Sequence, residues 1–191
     1  MKIASAVVGS LLLAAVPLAA QAEDMSYRYL QIGYLETDID GLGDNADGFG
    51  TRGSFAFANN FFVFTEISKQ EVLDIDIDQY AVGIGGHYPL AANLDLVGRI
   101  GWASAEIDAG GGLDVDGDGY LAGVGVRARA GEHLQFEAGV VHVDYGSGAD
   151  DTGVELAARY HFNKNWAAGL EYQSTGDLAT TMAAVRYSFG K

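Results

Sequence analysis

The sequence has no cysteine, few bases (Lys+Arg 11) and, beyond residue 22, no long apolar run. Without cysteine there is no disulfide framework, no thiolate zinc site and no Cys nucleophile. Eleven bases against 26 acids give a formal net charge of -15, which removes the electrostatic basis for binding nucleic acid. A membrane helix needs about 18 consecutive apolar residues, and nothing after Ala22 supplies them. Disorder is excluded as well, because 49% of the residues are hydrophobic. What is present in quantity is glycine, 27 residues in a chain of 191, the length of one domain.

Met1 to Ala22 carries one base, Lys2, then an apolar stretch through Leu11, Leu12, Leu13 and Val16, and ends Ala20-Gln21-Ala22 before Glu23 and Asp24. That layout predicts a secretory signal cleaved after Ala22; the rival reading is an uncleaved anchor. The mature chain, 23–191, then carries a charge of -16 once Lys2 is lost.

From Ser26 onward apolar residues recur at every second position, in ten runs of about ten residues, which is the pattern of strands. The expected strands are 26–36, 47–58, 61–70, 76–88, 94–106, 119–130, 134–144, 153–162, 166–174 and 178–189. Alternation alone does not separate a soluble sandwich from a membrane barrel. Aromatic placement does. Tyr34, Phe49, Tyr80, Trp102, Tyr120 and Tyr172 lie near one end of their strands, and Phe57, Phe61, Tyr88, Phe162, Trp166 and Phe189 near the other. Two belts bounding a band of Ala, Val, Leu and Ile predict an antiparallel up-and-down transmembrane β-barrel of ten strands, with eight as the alternative.

Connection lengths point the same way. Short links at 59–60, 89–93, 131–133 and 163–165 alternate with mostly longer ones at 37–46, 71–75, 107–118, 145–152 and 175–177, as periplasmic turns alternate with external loops. Both termini are then periplasmic. The windows 36–47, 71–78, 106–118, 144–151 and 175–178 hold 18 of the 26 acids and no Lys or Arg.

The other strand face carries Arg52, Arg99, Arg127, Arg129, Arg159 and Arg186 with Glu66, Glu137, Glu155 and Glu171, among many glycines. In a soluble sheet this would be a solvated face; inside a closed barrel it becomes an ion-pair network filling the lumen. Counting across the short turns sets Arg127 opposite Glu137, and Arg52 and Arg159 diagonal to Glu66 and Glu171.

The stretch NADGFGTRGSFAFANNFFVFTEISKQEV from Asn45 to Val72, followed by DIDQYAVGIGGHYPL and DLVGRIGWASAEI, resembles the small outer-membrane β-barrel family of xanthomonad bacteria. The likeness covers roughly Tyr27 to Asp108. More widely the chain is similar to the OmpA/OmpX-like small barrels. The resemblance implies Sec-type export, outer-membrane insertion in a Gram-negative cell, association with vesicles, and no catalytic motif; members were once proposed as secreted signals or activators of plant immunity. The ending Ala184-Val185-Arg186-Tyr187-Ser188-Phe189, with Tyr187 and Phe189, resembles the signal by which the barrel-assembly machinery recognises its clients.

Asp114, Asp116 and Asp118 with Gly119 read as the opening of a calcium loop, but position twelve is Gly125 instead of a bidentate Glu, so an acidic Gly-rich external turn is the plainer reading. More loosely, calcium or magnesium gathered by the acidic loops would bridge to lipopolysaccharide phosphates; no other cofactor is expected. His142 and Asp144, with Asp150 and Asp151, are the one rim cluster that would activate water in an outer-membrane hydrolase. The expectation is a non-enzymatic monomer in contact with outer-membrane lipid, lipopolysaccharide and the assembly machinery, with a structural or surface role in adhesion or biofilm. A narrow porin-like channel is the alternative.

Overall fold

The computed structural model describes residues 25–41, 43–108, 114–146 and 150–189. The signal segment 1–22 and its cleavage site lie outside these residues. Alternation of small or polar residues with exposed apolar ones gives ten strands: β1 (Tyr29–Ile39), β2 (Ala46–Ala56), β3 (Phe61–Val72), β4 (Ile75–Ala91), β5 (Leu94–Asp108), β6 (Asp114–Ala130), β7 (Leu134–Asp144), β8 (Asp150–His161), β9 (Trp166–Thr175) and β10 (Leu178–Ser188). Each pairs antiparallel with its sequence neighbours, and β1 pairs with β10, so the sheet is a closed ten-stranded barrel.

The register fixes the shape. From Glu36 the ladder runs one way through Asp47, Glu71 and Asp76 to Asp108 on β5. The other way it runs through Thr181, Tyr172, Leu156, Ala138 and Val126 to Leu96, twelve residues from Asp108 on the same strand. Twelve residues are about 40 Å of strand against a girth of about 48 Å for ten strands, a tilt of about 40°. On β4 the outward Tyr80 and Tyr88 are eight residues apart, about 26 Å along the strand and roughly 20 Å along the barrel axis, close to the height of an outer-membrane apolar band. Ile84, Ile100, Val124 and Leu170 lie between such aromatic levels, each more than half exposed.

Several boundaries differ from the sequence reading. The first strand starts at Tyr29 rather than Ser26, and β4 to β6 run well past the aromatic level, so 107–108 and 114–118, expected in a connection, are strand. Asp76 pairs with Asp108 and Asp78 with Glu106, which pairs with Asp116. The outward face changes from apolar to acidic there while period-two pairing continues; a reading keyed to apolar residues stops too early. The connections at the acidic end are also not uniformly long. Leu73 and Asp74 form a two-residue turn with φ of 50° and 63°, and 176–177 is another two-residue turn opened by Gly176 at φ 58°. Paired positive φ is the geometry that matches hairpin twist. The eight-strand alternative, which required 71–78 or 175–178 not to be true connections, is thereby replaced by ten strands.

Inside, the glycines make room. A Cβ on Gly83 would lie 2.6 Å from Gly101 Cα, and one on Gly85 would fall within the Phe62 ring. Tyr27, Phe62, Phe64, Ala103 and Leu121 form an apolar layer within the barrel.

Candidate functional site

The lumen holds the most elaborate chemistry of the molecule. Odd positions of β5 to β9 and even positions of β2, β3 and β10 point inward, which carries every Arg and Glu of the expected network to the inside. Arg127 Nε lies 2.7 Å from Glu137, its register partner, and Arg159 Nη1 lies 2.7 Å from the same carboxylate. Arg99 reaches Glu66 at 2.6 Å and also pairs with Glu155. Arg52 and Arg159 both pair with Glu171, and Arg186 stands 3.8 Å from Glu137 and Glu171. Arg129 is one inward position nearer the turn end than Arg127, and its backbone N–H donates to Asn93 O at 2.9 Å.

Arg52 corrects one expectation. It stands directly opposite Glu66, not diagonal to it, with Nε 3.8 Å away. Phe57 N–H donates to Phe61 O at 3.2 Å, so Ala58 joins the two asparagines in the turn and the ladder shifts by one residue.

Three of the pairs reach across three strands of the barrel: Arg99 on β5 meets Glu155 on β8, Arg52 on β2 meets Glu171 on β9, and Arg186 on β10 meets Glu137 on β7, so the guanidinium layer ties non-neighbouring strands together. On either side lie cavities of about 120 Å³ and 230 Å³ that share Arg52, Glu66, Arg99 and Glu155 as lining. Taking these charges out of water costs several kcal/mol each, and the pairing recovers that cost only because every carboxylate has at least one guanidinium.

Other members of the cluster were not singled out from the sequence. Gln31, 1% exposed, donates from Nε2 to Glu171 at 2.9 Å and accepts from Arg186 Nε at 2.8 Å. Its signal was available: with Thr37 it is a polar residue on the inward face of β1. Arg186 also lies over the Tyr29 ring, 3.7 Å from its centroid. Tyr27, just before β1, donates from its hydroxyl to Asp95 at 2.8 Å, and Asp95 lies 3.3 Å from His87 Nδ1. Burial first, and then the Asp95 hydrogen bond, hold the Tyr27 phenol above its ordinary pKa against the pull of Arg127.

The outer candidates are placed differently. Asp114, Asp116 and Asp118 belong to β6, a strand and not a turn. Across an extended strand the first and last Cα are about 13 Å apart, whereas oxygens around one calcium ion lie within about 5 Å of each other. The stretch is therefore part of a strand arm, not the turn that both readings assumed. Among the described residues no group of three or more His, Asp or Glu is arranged around a metal position. His142 faces outward on β7, with Nδ1 2.9 Å from the Thr152 hydroxyl and its ring 5.9 Å from that of Tyr120. Asp144 accepts from Gly146 N–H at 2.7 Å and pairs across the ladder with Asp150, while Asp151 faces inward beside Gly176.

The aromatic residues occupy the two outer rims. Tyr34 meets Phe49 at 5.7 Å edge to face, and Trp102 and Tyr120 pair in register. Tyr172 is 40% exposed, and Tyr80 is half-buried with its hydroxyl 3.2 Å from Asp78. At the turn end Phe57 stacks near Phe61, Trp166 packs on Tyr187, and Phe162 and Tyr88 are exposed. Phe189 N–H donates to Arg28 O at 3.0 Å, extending the β1–β10 seam by one residue.

Comparison with known proteins follows this geometry. The family described as "Outer membrane protein beta-barrel domain" matches residues 8–152. No curated protein is similar to the chain at the same standard. Among solved structures it is similar to the KdgM porin, with a TM-score of 0.48, 14% identity, and coverage of 84% of this chain and 99% of that one. It is also similar to Ail, the attachment invasion locus protein of Yersinia pestis, with a TM-score of 0.46, 17% identity and coverage of 86% and 100%. The N-terminal β-barrel domain of Pseudomonas aeruginosa OprF gives a TM-score of 0.46, 8% identity and coverage of 85% and 100%. With the family match spanning well over half of its length, the chain belongs to the outer membrane protein β-barrel domain family and is a protein of the Gram-negative outer membrane.

Proposed function

We propose that this protein is a non-enzymatic, closed outer-membrane barrel whose role is structural or surface-interacting. The observation that carries the reading is the layer of ion pairs between non-neighbouring strands, Arg99 to Glu155 and Arg52 to Glu171, which narrows the lumen at mid-height. In this reading the chain is exported by the Sec route with cleavage after Ala22, and the assembly machinery reads Tyr187 and Phe189. The termini and turns then face the periplasm, and the acidic arms of β4 to β6 face outward. Those arms meet lipopolysaccharide through divalent ions or take part in adhesion, biofilm or vesicle surfaces, in keeping with the resemblance to the xanthomonad small barrels. His142 is then a headgroup-level side chain beside Tyr120 rather than a catalytic base.

A narrow porin-like channel is the second reading, favoured by the cavities on both sides of the ion-pair layer. Planar-bilayer recording of the refolded barrel decides between them: absence of discrete steps supports the closed barrel, and steady ion-selective steps overturn it.

A further inference from the structure

Residues 25–27 precede the first strand, yet they do not trail away from the barrel. Tyr27 is 4% exposed and has the inward parity of Tyr29 and Gln31. The neighbours of β1 are β2 and β10, but the ring of Tyr27 meets side chains from β3 to β6 on the far wall. It stacks on His87 at 4.0 Å and 13° and on Phe62 at 5.1 Å and 22°. The Arg127 guanidinium lies 4.4 Å from the ring centroid, and the hydroxyl donates to Asp95 at 2.8 Å. The near wall holds the backbone, since Ser54 Oγ donates to Tyr27 O at 2.8 Å. Met25 packs against the same cluster.

All of these partners lie at the turn ends of their strands: Phe62 at the start of β3, His87 near the end of β4, Asp95 at the start of β5, Arg127 near the end of β6. Tyr27 therefore sits in the periplasmic mouth at the turn-end edge of the Arg–Glu network, which it meets through Arg127. Val97 marks the space between the two, because on β5 it lies between Asp95, which binds the tyrosine, and Arg99, which belongs to the ion-pair layer.

We propose that the segment Met25–Tyr27 is a plug for the periplasmic mouth, with Tyr27 as the stopper and Asp95, His87, Phe62 and Arg127 as its seat. The proposal rests on the closed-barrel reading and adds a second barrier, one formed by the chain's own N-terminal segment, below the ion-pair layer. Withdrawal of one aromatic residue opens the inner 120 Å³ chamber to the periplasm while the ion pairs between non-neighbouring strands stay in place.

The absence of native cysteine makes the test direct. Val97→Cys in the full barrel, refolded in lipid vesicles, is exposed from the periplasmic side to a small charged thiol reagent, with and without Tyr27→Ala. The expected result is slow labelling with Tyr27 present and labelling faster by about tenfold or more without it, since access then no longer waits on a local opening. Heat-modifiable gel mobility confirms closure of each variant. Should Tyr27→Ala fail to fold, Tyr27→Phe, which loses only the Asp95 hydrogen bond, is expected to accelerate labelling by a smaller factor. Equal rates with and without Tyr27, or rapid labelling with Tyr27 in place, overturn the plug. Rapid labelling from the external side overturns the closed-barrel reading instead, leaving the periplasmic comparison to judge the plug.

Discussion

Arg52 faces Glu66 directly across the β2–β3 ladder, yet its closest ion pair runs across the lumen to Glu171 on β9. A guanidinium that lies closer to a strand three places away than to its register partner makes the interior a single connected unit, in which Glu171 also accepts Arg159 and Gln31.

Glu171→Gln keeps the side-chain shape and removes the charge that these groups share. Removing one partner from a buried ion pair costs about 3–5 kcal/mol, and the expected readout is a lowered urea midpoint for unfolding from vesicles. Glu155, 27% exposed at its side chain and paired with Arg99 alone among the ion pairs, loses less on change to Gln. Equal losses would show that the network does not act as a unit.

Ile100 is outward and 60% exposed, between the two aromatic levels. Ile100→Arg places a charge against the hydrocarbon and costs about 2–4 kcal/mol, whereas Glu106→Arg, six residues up the same strand and past Trp102, costs about 0–1 kcal/mol. Measuring unfolding free energies of the two variants in the same lipid locates the membrane edge on β5.

Gly83→Ala and Gly86→Ala separate two uses of glycine on one strand. A Cβ at Gly83 meets the neighbouring backbone inside the barrel, while at Gly86 the nearest atom is 3.4 Å away. The first change costs about 1–3 kcal/mol through overpacking; the second is neutral or stabilises by about 0.5 kcal/mol, because alanine restricts the unfolded chain. Denaturant midpoints give the sign of each.

The raised phenol of Tyr27 sets an alkaline limit for its seat. A group whose folded pKa is raised contributes stability in full below its unfolded value, here 10.0, and loses it as pH climbs through the higher folded value. Ultraviolet titration of the folded barrel therefore shows a phenol that ionises above the ordinary tyrosine range, and this late phase is reduced in Tyr27→Phe.

Much of this architecture was legible from period-two patterning, because lipid outside and a crowded lumen inside select opposite residue types at alternate positions. Val124, Val126 and Ala128 against Gly123, Gly125 and Arg127 illustrate it. Patterning failed where the outward face became acidic: Asp108, Asp114, Asp116 and Asp118 read as connection, although their backbones pair as they do lower down. The ion-pair members were visible as inward charges, but which guanidinium meets which carboxylate depends on register, and one extra residue in the 57–61 turn moved Arg52. Tyr27 reads as an ordinary residue of strand 26–36, and nothing local marks it as crossing the lumen; its partners come from strands 35 to 100 residues later.

The β1–β10 seam joins Tyr29 to Ser188, so the cylinder cannot be closed until β10 is available. Until then the first strand has an unsatisfied edge, and in a lipid core each such backbone group costs several kcal/mol. Contacts so distant in sequence also make closure intrinsically slow. A nascent chain truncated within β10 is thus a substrate for aggregation or proteolysis rather than a smaller barrel, and the timing of its handover to the membrane is set by its last strand.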